Sequence, residues 1–187
     1  MKPVVKVDKL AQVVRGISSL MKKDVLVGVP DSTTGRTDGE GMNNATLAYI
    51  HDNGSPAANI PARPFMRPGI KNAEKPIASQ MKKAATATLD GKQKEADKAL
   101  NKAGMVASSS IKEAITDGEG FEALAPGTIA SRNRSRGTAS RRDSEKSYLE
   151  MLSNGMSPAD AQEAAGIKPL INTGSMRNSI TYVVRKK

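Results

Sequence analysis

The 187-residue chain has no cysteine and no tryptophan, only two phenylalanines and three tyrosines, and a single histidine, His51. Without cysteine there are no disulfides, no thiolate metal sites and no cysteine nucleophile. With one histidine, neither a Ser-His-Asp arrangement nor a histidine-based metal site has the partners it needs. His51 stands beside Asp52 in a short helical pattern and reads as a surface or half-buried side chain. The tetrapeptide Asp-Gly-Glu-Gly occurs at 38–41 and again at 117–120, but neither copy carries the alternating oxygen ligands and late glutamate of a calcium loop. There is no Walker loop, and no Gly-x-Gly-x-x-Gly follows a strand. These absences point to a protein that is not an enzyme and needs no cofactor or metal. No apolar run approaches the roughly 18 residues of a membrane span, so no membrane association is expected. Met1–Leu10 carries lysines but leads into an amphipathic pattern, which argues against a signal peptide.

What is abundant is positive charge. Twenty-nine Lys and Arg against 19 Asp and Glu give a formal charge of +10, a surplus that favours polyanions as partners: nucleic acid, an acidic membrane surface or an acidic protein. Only 37% of residues are hydrophobic. The core therefore rests on Val, Ile, Leu, Met and Ala, and self-association is an expected source of stability.

Along the chain, Pro3–Val7 alternates as a short strand and Asp8 is a plausible N-cap. Leu10, Val13, Val14, Ile17, Leu20 and Met21 fall on one helical face. Val25–Val29, ended by Pro30, is the best early strand, and residues 31–42 form a polar, glycine-rich loop. Asn43 or Asn44 caps a helix that stops at Asn53-Gly54. Residues 49–70 then form a connector stiffened by Pro61, Pro64 and Pro68, each with fixed φ and no amide donor; Phe65 and Met66 are its apolar footing. From Pro68 to Thr116 the pattern is helical, with a bend at Asp90-Gly91. Leu100, Gly104, Ala107, Ile111 and Ile115 make a narrow stripe suited to packing on the chain's own sheet or, less often for such a stripe, on a neighbouring subunit.

Residues 117–144 read as a loop whose centre, Ala130–Arg142, holds Arg132, Arg134, Arg136, Arg141 and Arg142 and no acid. Mixed with Ser, Asn, Thr and Gly, this run suits phosphates rather than base edges. It fits docking on an acidic protein face equally well. Short helices follow near Glu145–Ser153 and Pro158–Ala165, the latter capped by Ser157. A turn at Asn172-Thr173-Gly174 leads to the strand Ser179–Val184, with Ile180, Tyr182 and Val184 on one face. The fold class is α+β: a small, mostly antiparallel sheet against an N-terminal helix and a long central helix. Residues 1–187 form one domain, with 117–168 as an insertion or extended arm.

Two blocks carry a family resemblance. The first runs from Val25-Leu-Val-Gly-Val-Pro30 through Gly54 to Ile60-Pro-Ala-Arg-Pro-Phe-Met-Arg-Pro68, including Arg63 and Arg67. The second joins Leu124-Ala-Pro-Gly-Thr-Ile129 to Pro169-Leu-Ile-Asn-Thr-Gly174 and Met176-Arg-Asn-Ser-Ile-Thr-Tyr182, including Ser179 and Ile180. In this order they resemble the neck and tail-completion proteins of long-tailed bacteriophages. The resemblance implies a non-enzymatic virion protein that assembles in the host cytoplasm into a ring, six subunits being the expected number. Its implied neighbours are the head connector and a tail-tube or terminator protein, with packaged double-stranded DNA in the lumen. The chain has Asp52-Asn53-Gly54 where the family often has Glu-Phe-Gly, and a longer insertion between Ile129 and Pro169. The alternative is a nucleic-acid-binding protein outside a virion, acting through Arg132–Arg142.

Overall fold

The computed structural model describes residues 10–31, 42–134 and 139–187, and excludes the side chains of residues 133, 134, 139 and 140. The Pro3–Val7 strand, the Asp8 cap, most of the 31–42 loop and Arg136 lie outside the described residues. The elements in order are α1 (Leu10–Met21), β1 (Lys23–Gly28), α2 (Asn44–Asn53), α3 (Met66–Asn72), α4 (Glu74–Leu89) and α5 (Gln93–Asp117). Then come α6 (Pro126–Arg134), α7 (Ala139–Ser153), α8 (Pro158–Ala164), α9 (Ser175–Ser179) and β2 (Thr181–Lys186). Helices dominate, and the α+β class holds. The chain divides into two compact units: one of residues up to Gly28, Gly69–Ile111 and Ile180–Lys187, the other of Val29–Pro68 and Lys112–Ser179.

In the first unit β1 and β2 pair antiparallel, with Val25 opposite Val184 and Leu26 opposite Val183. Period-2 alternation turns Val25 and Val184 inward, where they pack with Leu20 against Ala84, Ala99 and Leu100. Lys23 pairs with Asp97 of α5. Ile180, Tyr182 and Val184 share the covered face, as the alternation predicts. The strand begins at Thr181 rather than Ser179 because Ser179 closes α9, its hydroxyl donating to the Met176 carbonyl at 2.6 Å.

The apolar face of α1 is divided between the core and the outside. Leu20 faces the core, whereas Leu10, Val14, Ile17 and Met21 are 68%, 53%, 40% and 72% exposed. These four recur at intervals of four, three and four, so they form one outward row.

The expected long helix is three helices. The bend at Asp90-Gly91 is present: Gly91 takes φ +75°, its amide donates to Thr88, and the Lys92 amide donates to Ala87. That pair of bonds is a Schellman termination. A second break, at Ala73, was not expected. Pro76 explains it: with no N–H it is tolerated in the first turn of α4 but not in the interior of a continuous helix. On α5, Leu100, Ala107, Ile111 and Ile115 are buried. A methyl on Gly104 would come within 2.3 Å of the Tyr182 ring, so the stripe's small residue admits the chain's own strand, as read.

In the second unit α2 is capped by Asn43, whose side chain accepts the Thr46 amide at 2.7 Å. The stretch 117–144, read as a loop, contains α6 and the start of α7. Ile129 and Tyr148 are fully buried and cluster with Leu124 and Ala161, with Leu149, Leu152 and Ile167 packed around them. The local composition is polar, and it is this tertiary burial of isolated apolar residues that selects helix there. Helix α8 starts as predicted: Ser157 caps it by accepting the Asp160 amide.

Candidate functional site: the braced connector

The connector begins where α2 must stop. Gly54 has φ 78° and ψ 171°, a region open essentially to glycine alone. A methyl there would also stand 2.8 Å from the Ala62 amide nitrogen. A single 3-10 turn at Pro56–Ala58 follows, with Asn59 in the left-handed region, and a bridge between Ser55 and Ile60 closes the turn. Pro61 through Phe65 then run without regular structure into α3.

Two side chains hold this segment. Arg63, buried to 4% exposure, donates from Nε to the Glu122 carbonyl at 2.8 Å and from Nη2 to the Ala123 carbonyl at 3.2 Å. Its own amide donates to the His51 carbonyl at 2.7 Å. Asp52 Oδ1 accepts the amides of Phe65 and Met66 at 2.8 and 3.0 Å. Phe65 precedes α3 and has no capping side chain, so a carboxylate from α2 supplies the missing acceptor. Phe65 is fully buried; Met66, in contrast to its reading as an equal anchor, is half-buried and opens α3. Pro64, Arg67 and Pro68 are exposed, and Pro68 lies in the first turn of α3, where its missing amide does no harm.

The connector and residues 122–128 line a cleft of about 760 Å³ that also takes in His51 and Arg132. His51 is held below its ordinary pKa of 6.5, first by burial and then by the charges of Arg63 and Arg132. The imidazole is thus kept neutral, and its buried Nδ1 makes no hydrogen bond. Burial likewise lowers Arg63 and Arg132 from the ordinary arginine range, with Glu122 opposing it at Arg63 and Glu145 at Arg132. Among the described residues no group of His, Asp and Glu is arranged to hold a metal.

The arginine run divides. Arg132 Nη2 donates to the Pro169 carbonyl at 3.1 Å. Arg141 donates to Asn172 Oδ1 at 2.6 Å and to the Arg132 carbonyl at 3.1 Å, and its Nε lies 3.5 Å from the buried Glu145 carboxylate. Both arginines are therefore struts inside the second unit. Arg142 is exposed; the Arg134 side chain and Arg136 lie outside the described residues. Thr173 and Gly174 form the bend before α9, with Gly174 at φ 78° and the Ser175 amide donating to Thr173 Oγ1 at 3.3 Å. The bend leads into α9 and not straight into a strand.

Sequence reading missed Asp52, Glu145 and Gln162, whose Oε1 accepts the Leu124 amide at 2.6 Å. Only Asp52 left a signal: a helix start with no local cap and an acid in the preceding helix. No protein-family model, no curated protein and no solved structure matches the chain.

Proposed function

We propose that the protein is a structural subunit of a bacteriophage neck, forming a ring, of six copies, at the head–tail junction. The observation that carries the reading is the bracing of the two motif blocks. Arg63, from Ile60–Pro68, is bonded to the carbonyls that immediately precede Leu124–Ile129. Arg132, just past that block, is bonded to Pro169, which opens Pro169–Gly174. Each of these bonds has one end in a motif block and the other just beside one, an arrangement that suits a register-keeping scaffold.

The outward row on α1 supplies a surface for a second copy. A helix that exposes Val14, Ile17 and Met21 is half of a packing interface, and Leu26 and Val183 add exposed apolar area on the outer sheet face. The ring's other neighbours in this reading are the head connector and the tail-tube or terminator protein, with packaged DNA in the lumen and assembly in the host cytoplasm. Among the described residues no helix is long and apolar enough to cross a membrane.

Electron microscopy of particles with and without this protein tests the assignment. Loss of the protein leaves filled heads without tails, or tails unjoined. Val14→Asp with Met21→Asp abolishes ring formation in native mass measurements while the far-ultraviolet circular dichroism is retained. Complete particles lacking the protein, or rings that tolerate both aspartates, overturn it.

A further inference from the structure

We infer that the groove between α4 and α5 is a binding surface for the phosphate backbone of duplex DNA. The groove encloses about 610 Å³. Its floor includes the buried alanines Ala87 and Ala99, small enough for the two helices to lie close. Lys82 and Lys83 on α4 and Lys98 and Lys102 on α5 line it, and all four are exposed.

A run of charge on a helix is most often a solvated face. Two features set this one apart. The two acids at the groove, Asp90 and Glu95, both lie within ion-pair distance of a fifth lysine, Lys92, at 4.0 and 3.9 Å. None of the four groove lysines has an ion pair among the described residues, and with Lys92 counted the five cations exceed the two carboxylates by a net charge of +3. Moreover, Lys98 and Lys102 stand one helical turn apart, a like-charge spacing that disfavours the helix when nothing balances it.

The chemistry favours phosphate over an acidic peptide. All four cations are lysines, compact point charges suited to sequence-independent phosphate contact; bidentate carboxylate recognition favours arginine. The groove offers no exposed aromatic or large aliphatic anchor of the kind a peptide interface uses. Nor does it offer a stacking surface for single-stranded bases. The inference also accounts for a cationic surplus that Arg132 and Arg141 do not present outward, since both are bonded within the second unit. It stands apart from the neck assignment, because it is measured on the full chain in the absence of particles.

The experiment is fluorescence anisotropy of a labelled random-sequence duplex with the full chain at stepped potassium chloride. Each phosphate contact contributes about 0.9 to the slope of log affinity against log salt. Replacing Lys82, Lys83, Lys98 and Lys102 together by Gln is expected to reduce that slope by about 3 to 4. A control variant removes the same charge elsewhere, at Lys22, Arg142, Lys146 and Lys186, and is expected to lose less than half as much slope. Single Lys98→Gln and Lys102→Gln variants, each expected to reduce the slope by about 0.9, carry the test if the fourfold variant does not fold. An unchanged slope in the groove variants, or an equal loss in the control, overturns the inference. So does a chain that binds polyglutamate through these lysines but does not bind duplex.

Discussion

Replacing Asp52 by Ala removes the single oxygen that accepts both the Phe65 and Met66 amides. The two donors lie at the start of α3, where no neighbouring side chain can substitute. Loss of an N-terminal cap costs about 1 to 2 kcal/mol, and a hydrogen bond to a charged acceptor contributes about 1.5–3 kcal/mol. The two bonds share one carboxylate oxygen and the site is half-buried, so water recovers part of the loss and the contributions do not add in full. The expected destabilisation is about 2–3 kcal/mol. Asp52→Asn keeps an acceptor in place and loses only the charge, and is expected to cost under about 1 kcal/mol. Urea unfolding followed by circular dichroism reads the difference. With a slope near 2 kcal/mol/M, Asp52→Ala moves the midpoint down by about 1 M and Asp52→Asn by less than half of that. A midpoint for Asp52→Ala within about 0.2 M of the wild type refutes this role of the carboxylate. Equal damage from Asn and Ala refutes it too, because the acceptor geometry would then not be what holds α3.

Gly54→Ala meets both a glycine-only backbone conformation and the Ala62 amide nitrogen; a loss of about 2–3 kcal/mol is expected in the same urea assay, the strain alone being about 1–3 kcal/mol. Tyr148 is fully buried, its hydroxyl has no hydrogen-bond partner among the described residues, and burial raises its pKa. Tyr148→Phe removes that unpaired group and is expected to leave stability unchanged or raise it by about 1 kcal/mol, whereas a clear loss would expose a hidden bond. His51 titrates lower in the folded chain than in the unfolded one. The unfolded state therefore takes up the proton first, and stability falls as pH drops below about 6.5 toward the folded value. His51→Gln is expected to flatten thermal stability between about pH 7 and pH 5.5, and an unchanged pH dependence would refute the neutral, buried assignment.

Legibility from sequence followed how local each signal was. The Asn43 and Ser157 caps, the Gly54 stop and the Asp90-Gly91 turn each rest on chemistry within a few residues, and each stands where it was read. The Ile180–Tyr182–Val184 face is equally local, since alternation alone defines it. Within the arginine run, the internal roles of Arg132 and Arg141 were not legible, because composition cannot tell a solvated guanidinium from one that bonds a carbonyl 37 positions away, as Arg132 does with Pro169. Helix α6 and the start of α7 were hidden for a related reason, although Glu145–Ser153 was legible as helix: Ile129 and Tyr148 are single apolar residues in polar surroundings, and only their common cluster shows their weight. The α1 face was legible as amphipathic, but periodicity does not say which part of a wide apolar face meets the chain's own core. Met66 was paired with Phe65 by hydrophobicity, yet the start of α3 falls between them.

The pairing of β1 with β2 joins residues 23–28 to 181–186, almost the whole chain apart. Such a contact forms only after a long loop has closed, and during synthesis it must wait until the second strand has left the ribosome. Tyr182, seated at Gly104, and Val184, packed with Val25 and Leu20, arrive with it. The sheet ties one strand to the other: without residues 181–186, β1 has no partner, and Val25 and Leu20 lose their cover.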